Sequence, residues 1–510
     1  MLPKLKYHET KKVTQRISFS GLNLTDKLRE GELVACSGLT DERMPFISPR
    51  YADRLAHTFA EPQGMTAADG KLFIAADGEL WEYEDSTATR VMTGLSAGEK
   101  QFAYIGGMLC IFPDKRFCRP STGETGSLEH TEYFTGYTVT ANSVTRTDGV
   151  PFGFSVNDGV TLCGASFFGE NSEASAVITG VSGSTLTFEG EPFREGSGTA
   201  GITISRTVPD LDFVCEHDNR LWGVSGSRVY ASWLGDPCNF NAFDSAHSQA
   251  SWFADVGTEG EFTACCASPS FIAFMKGDKM HKLYGTKPAN YRLTLSRIPG
   301  AEKGSAASTA VSSDAIIYNS ADGVYGYGGG EPEYLSAKTG RIGANAVAAC
   351  LNGTYYIAAD GADGKRRLYT YNLRYGVWLC DGEKDIRFMA ALHGSVWYLT
   401  GEGELYELGA EDSVGEWSAE LAPFFDDALR RRYCRVLLKV WLAEGASLKV
   451  TANGGSGRNS IYIRRADEDM RCELPMPFCA GGALRIRLDG RGKCLLKGIV
   501  CEYIEQGAAQ

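Results

Sequence analysis

The sequence predicts an all-β fold, and three observations carry the prediction. Helical periodicity is almost absent along the 510 residues. In its place a short alternating strand, a turn at Gly, Asn or Asp, and a second aromatic-rich strand recur along the chain. Sixty Gly stand against 17 Pro, with 23 Tyr, 25 Phe and 8 Trp, a composition suited to tight turns between aromatic and β-branched strands.

The recurrent units follow in order. Asp69-Gly70 opens KLFIAA, and Asp77-Gly78 leads into ELWEYE. Phe102-Ala103-Tyr104 runs through Gly106-Gly107 into MLCIF, and Asp218-Asn219 precedes RLWGV and then SRVYAS. Asp322-Gly323 precedes VYGYG, Asn352-Gly353 precedes TYYIAA and RRLYTYN, and His393-Gly394 precedes SVWYLT and ELYEL. Neighbours such as Gly353 and Gly394 have roughly the 40–45-residue spacing of four-stranded propeller blades. A single unit is a marginal sheet with an exposed apolar face, whereas a radial arrangement covers the faces and leaves only short edges. Residues 31–120 and 210–412 are therefore read as a β-propeller of six blades, with seven as the alternative. A solenoid would need a more regular period.

Three segments break the pattern. Residues 121–209, with GFSVNDGVTLCG, SAVITGVSGSTLTFEG and GITISRT, read as an inserted small β-barrel or sandwich that projects from one face. Residues 413–510 hold about seven alternating strands, the pattern of an antiparallel sandwich of jelly-roll type. Residues 1–30 are polar and read as an extended arm.

Composition narrows the function classes. The 43% hydrophobic and 22% charged content is that of an ordinary globular chain, and no run approaches the roughly 20 apolar residues of a membrane-spanning helix. MLPKLKYHETKK lacks the apolar core of a secretory signal, so synthesis and first folding are expected in the cytoplasm. Fifteen Cys spread over apolar strands read as reduced, buried thiols rather than a disulfide framework. A net charge of −12 argues against a dedicated nucleic-acid binder, while a negative wall lets DNA pass without sticking.

No catalytic, cofactor or metal site emerges. The phosphate loop, the H-E-x-x-H zinc helix and the G-x-S-x-G elbow are all missing. Gly326–Gly330 follows a strand and reads as a hairpin turn. Cys265-Cys266 alternate to opposite faces of a strand, and Cys215-Glu216-His217 offers two ligands where structural zinc needs four. The Asp-Gly pairs at Asp69, Asp77, Asp148, Asp158, Asp322 and Asp381 read as turns, since none has the oxygen spacing of a calcium loop. Asp426-Asp427 reads as a solvated turn before the basic strand edge Arg430, Arg431 and Arg432. The sharper alternative makes those arginines an intersubunit ion-pair belt.

Residues 229–243, VYASWLGDPCNFNAF, carry a resemblance. The pattern of an aromatic at Tyr230, Ser232, then Gly235-Asp236-Pro237, Asn239 and Phe240 resembles bacteriophage tail and head-to-tail connector proteins built on propellers. Residues 21–50, GLNLTDKLREGELVACSGLTDERMPFISPR, look like the same family's opening segment, in which an arm leads to a basic residue before the first blade. CSGLTDERM replaces the Asn-rich turn usual there. The barrel-like insert and the terminal sandwich are similar to parts of such proteins too.

The resemblance implies a virion protein of the tail hub, nozzle or stopper type, assembled in the host cytoplasm. It would be a homo-oligomeric ring, a hexamer being one order, that contacts other tail and connector proteins while DNA passes through its lumen without specific binding. Within the motif, Gly235 supplies positive φ, Pro237 fixes its own φ, and Asp236 or Asn239 caps the turn. Trp233 and Phe240 anchor it, which makes a blade-to-blade corner. The alternative function is a carbohydrate-binding propeller that recognises the host surface through Trp81, Trp222 and Trp397. A propeller enzyme ranks third, since no nucleophile and base can be named.

Overall fold

The computed structural model describes residues 10–169, 171–243, 247–425, 427, 429–465, 470–477 and 479–505. Among them the chain is all-β, with three single-turn 3-10 segments and no α-helix. Among the described residues no helix is long and apolar enough to cross a membrane.

Seven four-stranded sheets are described, six of them with their strands in chain order. The first sheet spans residues 62–93, the second 101–127, the third 213–255, the fourth 264–296, the fifth 310–334 and the sixth 344–383. The seventh joins Ile386–Leu392, Ser395–Thr400 and Glu404–Glu407 to Arg54–Thr58, which pairs antiparallel with Glu404–Glu407. An early strand of the chain thus completes its last four-stranded sheet.

The second strand of each sheet shows why the pattern folds this way. KLFIAA, MLCIF and FIAFMK are buried along almost their whole length, so they read as continuous apolar runs rather than alternating ones. The third strand of the first sheet, ELWEYE, is less enclosed: Leu80 and Tyr83 are buried, Glu79, Trp81 and Glu82 are partly covered, and Glu84 is exposed. Several of the hairpins are two-residue turns with positive φ at both positions, as at Asp69 (50°) with Gly70 (75°) and Asn352 (51°) with Gly353 (77°). That geometry matches strand twist and selects Asp-Gly and Asn-Gly.

The chain divides into two compact units. In the unit built on residues 59–321, the first strands of the first four sheets lie side by side in succession. Apolar seams fill the gaps: Phe73, Leu80 and Ile111 between the first and second sheets, Ile105, Leu221 and Phe240 between the second and third, and Trp222 and Phe274 between the third and fourth. Each fully buried side chain of this size contributes about 1.5–3 kcal/mol.

The same unit holds a closed six-stranded barrel over residues 130–206. Its core includes Phe134, Val144, Leu162, Ile178, Leu186 and Ile204. The second sheet runs on to Glu124–Ser127, past residue 120, before the barrel begins.

The other unit contains the sixth and seventh sheets and two five-stranded antiparallel sheets. One orders Lys12–Arg16, Cys494–Glu505, Arg431–Leu442 and Arg471–Pro475, with Ala480–Gly481 also paired to Arg431–Leu442. The second orders Leu33–Ser37, Glu416–Leu421, Arg485–Arg491, Ser447–Asn453 and Arg458–Ile463.

Two sequence expectations change here. Residues 10–30 are not a loose arm: Lys12–Arg16 is an edge strand, and Phe19, Leu22 and Asn23 are buried. Leu33–Ser37 pairs with Glu416–Leu421 rather than with a blade strand. Residues 1–9 of the expected arm lie outside the described residues.

Candidate functional site

The third strand of the third sheet, Arg228–Ala231, runs into the Trp233–Phe240 motif. A compact loop closes there: the Trp233 amide donates to the Asn239 carbonyl at 2.7 Å and the Asp236 amide to the Trp233 carbonyl at 3.1 Å. Gly235 sits at φ 79° and donates its N–H to the Asn219 carbonyl at 2.7 Å. Asp236 Oδ1 accepts from the Cys238 amide at 2.9 Å, and Pro237 is buried beneath. Ser232 Oγ accepts from the Leu221 amide and donates to the Trp233 carbonyl, each at 3.0 Å.

The motif is a joint rather than a corner between sheets alone. Phe240 fills the seam between the second and third sheets, while Trp233 packs with Ala242, Ala250 and the barrel residue Val177. Asn239, 1% exposed, spans the junction. Its Nδ2 donates to the Asn157 carbonyl at 2.7 Å, and its Oδ1 accepts from the Gly159 amide at 3.2 Å. Gly159 leaves no room for a side chain, since a Cβ there would lie 2.2 Å from the Asn241 carbonyl carbon.

Charge locks the same place. Arg206, at the end of the last barrel strand, donates through Nη1 to both oxygens of buried Asp158 at 2.9 and 3.0 Å. Burial pushes the Asp236 carboxyl above its ordinary value, against the pull of the Cys238 amide and Arg206, and Asp158 adds to the push. Asp158 thus does more than make a turn. Its partner Arg206 lies 48 residues away, at a distance no local pattern signals.

A second polar centre lies in the other unit. Arg50, the basic residue that ends the opening segment, hydrogen-bonds Asp381 and lies 3.6 Å from Asp53. Lys384 also pairs with both carboxylates, and Tyr398 donates to Asp53 at 2.7 Å. Burial alone would raise Asp53, but Arg50 and Lys384 outweigh it and hold the carboxyl below its ordinary value. Asp381, read as a turn, lies within the strand Val377–Glu383 at a register shift beside Gly382.

Gly21-Leu22-Asn23 and Glu32 of the same segment dock close by. The Leu22 amide donates to the Trp378 carbonyl at 2.7 Å, and buried Glu32 accepts from Asn23 at 2.6 Å. Next to this centre is a cavity of about 510 Å³ lined by Asp41, Arg50, Asn372 and Tyr356, with half-exposed Tyr51 and Tyr375 at its rim.

The remaining sequence candidates are placed as follows. Arg431 is buried: its two Nη atoms donate to Asp427 at 2.6 and 2.8 Å, and its guanidinium lies 4.0 Å from the Phe425 ring. Arg430 and Arg432 are exposed, and Asp426 lies outside the described residues. Trp222 is 1% exposed and T-stacked with Tyr291, so it offers no open face, while Trp81 and Trp397 are half-buried. Cys215 meets Cys265, and His217 meets Asp218. No cluster of three metal-type ligands forms among the described residues.

No protein-family model matches the chain, and no curated protein is similar to it. Among solved structures, PorZ of Porphyromonas gingivalis is 12% identical with a TM-score of 0.37, over 82% of this chain and 46% of that one. BamB from Moraxella catarrhalis is 10% identical with a TM-score of 0.36, over 71% of this chain and 99% of that one. Kluyveromyces lactis Hsv2 is 6% identical with a TM-score of 0.33, over 74% and 95%. The chain spans about half the length of the PorZ structure. Likenesses at this level carry no functional argument.

Proposed function

We propose that the chain is a non-enzymatic structural component of a bacteriophage or prophage-derived tail, forming an oligomeric ring around the DNA channel. In this reading the seven four-stranded sheets are propeller blades, seven rather than six, and the early strand Arg54–Thr58 completes the last blade. The barrel is an inserted contact module, and the two five-stranded sheets form a terminal jelly-roll-like sandwich.

One observation carries the proposal. The residues that resemble tail proteins, Tyr230 to Phe240, are the ones that fasten the barrel to the third sheet through Asn239 and Gly159. A scaffold that must hold a contact module in fixed orientation needs such a hinge-free joint. The net charge of −12 suits a wall that phosphate slides past. Light scattering and negative-stain imaging of the purified chain, alone and with its neighbouring tail proteins, test the proposal. Closed rings are expected, and monomers under both conditions would sink it.

A second reading, carbohydrate binding, rests on the cavity beside Arg50 and not on Trp81, Trp222 and Trp397. Tyr51 and Tyr375 offer half-exposed aromatic faces, and Asp41, Asn372 and Arg50 supply mixed acceptors and donors around a neutral hydroxylated ligand. A glycan array probed with the full chain and with Tyr375→Ala tests it. Hits lost in the variant support it, and an empty array removes it.

A further inference from the structure

The third and fourth sheets meet along their first strands, Phe213–His217 and Ala264–Ser268. Cys215 and Cys265 face each other across that seam with their Sγ atoms 3.0 Å apart. Cys265 is 8% exposed and Cys215 is half-buried, so the pair is sheltered but can be reached from the Cys215 side. Both pack into the apolar cluster of Trp222, Val224, Phe274 and Leu283, which holds the two strands in place.

We propose that Cys215 and Cys265 form an intrachain disulfide when the folded protein meets an oxidising medium, cross-linking the third and fourth sheets. A disulfide bond is about 2.05 Å long, so closure asks the two sulfurs to approach by roughly 1 Å. That movement is within the reach of side-chain rotation on fixed strands. The neighbouring Cys266 alternates to the other face of its strand and is not the partner.

With a low-molecular-weight disulfide such as glutathione disulfide as oxidant, the chemistry balances in two exchanges. The Cys215 thiolate attacks one glutathione sulfur, forming a mixed disulfide and releasing the first glutathione thiolate. The Cys265 thiolate then attacks the Cys215 sulfur and expels the second. The protein loses two protons and two electrons, and the oxidant becomes two thiols.

The hydrogen bond that Cys215 shares with Cys265, and then burial, push the Cys215 thiol well above its ordinary value. Thiolate is therefore scarce at neutral pH, and closure speeds up as pH rises. The chain stays reduced in a glutathione-buffered cytoplasm and cross-links after release.

The test uses the full folded chain, reduced and then held with glutathione disulfide at pH 8.5. A mass loss of about 2 Da is expected, with a single bridge between the peptides that carry Cys215 and Cys265. Cleavage after Glu261 separates Cys265 from Cys238. The bridged chain melts about 5 °C higher than the reduced one, because a 50-residue loop is closed. Cys215→Ser and Cys265→Ser each abolish both effects, with Cys215→Ala replacing the first variant if serine prevents folding, whereas Cys266→Ser leaves both intact. Free thiols at both positions after exposure of the folded chain, or a bridge through Cys238 or Cys266 instead, overturns the proposal.

Discussion

At the scale of single residues, the joint around Asn239 makes the sharpest demands. Asn239→Ala leaves the buried Gly159 amide and Asn157 carbonyl without partners, at a cost of about 2–4 kcal/mol. Urea unfolding measures it. Gly159→Ala costs more, because its Cβ would meet Asn241 backbone at 2.2 Å and backbone cannot swing aside. Gly257→Ala, with no neighbour within 4 Å and no positive φ, is the near-neutral control.

Two carboxylates at this scale respond to pH with opposite signs. Asp236 has a raised folded pKa, so its contribution is present below the ordinary carboxylate pKa and lost as pH rises through the raised value. Asp236→Asn keeps an acceptor for the Cys238 amide and sheds the buried charge. It therefore melts above the parent at pH 8, and the gap narrows toward pH 4. Asp53 has a depressed folded pKa, so its contribution is present at neutral pH and lost as pH falls through the depressed value. Asp53→Asn melts below the parent at pH 7, and its deficit shrinks in acid. Thermal melts from about pH 8 down to about pH 2 separate the two signs, the Asp236 window lying above the ordinary carboxylate pKa and the Asp53 window below it.

At the scale of elements, local rules were legible and distant partners were not. Asp69-Gly70, Asn352-Gly353 and His393-Gly394 announce their hairpins because positive φ is a local requirement. KLFIAA announces a doubly buried strand because its environment is apolar on both faces. The partner of Leu33–Ser37 lies some 380 residues onward in Glu416–Leu421, and strand pairing leaves no trace in spacing. Lys12–Arg16 hides for a second reason. Val13 and Ile17 face outward, and the inward group is a charged Arg16. That guanidinium donates to the Ala422 and Pro423 carbonyls and lies 3.8 Å from the Phe424 ring. Arg16→Ala is expected to cost about 2–3 kcal/mol and to speed hydrogen exchange along Cys494–Glu505, while barrel amides keep their protection.

At the scale of the whole molecule, the insertion was legible as a change of composition, while the device that fixes it was not, since Asn157, Asp158 and Arg206 reach the motif only after the barrel closes. The barrel begins and ends on paired neighbours, His130 opposite Arg206, so its two connections leave side by side. It also encloses its own core, from Phe134 through Ile204, and its sheet has no open edge. Those two facts predict separability. Residues 129–207 expressed alone are expected to fold cooperatively, and the remaining chain, rejoined by a short Gly-Ser linker, keeps its sheets. The remainder pays for the lost joint, however, because Asn239 and Trp233 lose their barrel partners. It should unfold about 2–4 kcal/mol earlier than the intact chain, with the loss concentrated in hydrogen exchange of residues 230–242. Adding the free barrel back should not restore that protection at micromolar concentrations, because the contact is small and was held together by covalent connection. An isolated barrel that stays unfolded would show instead that the joint, and not the barrel's own core, holds the module together.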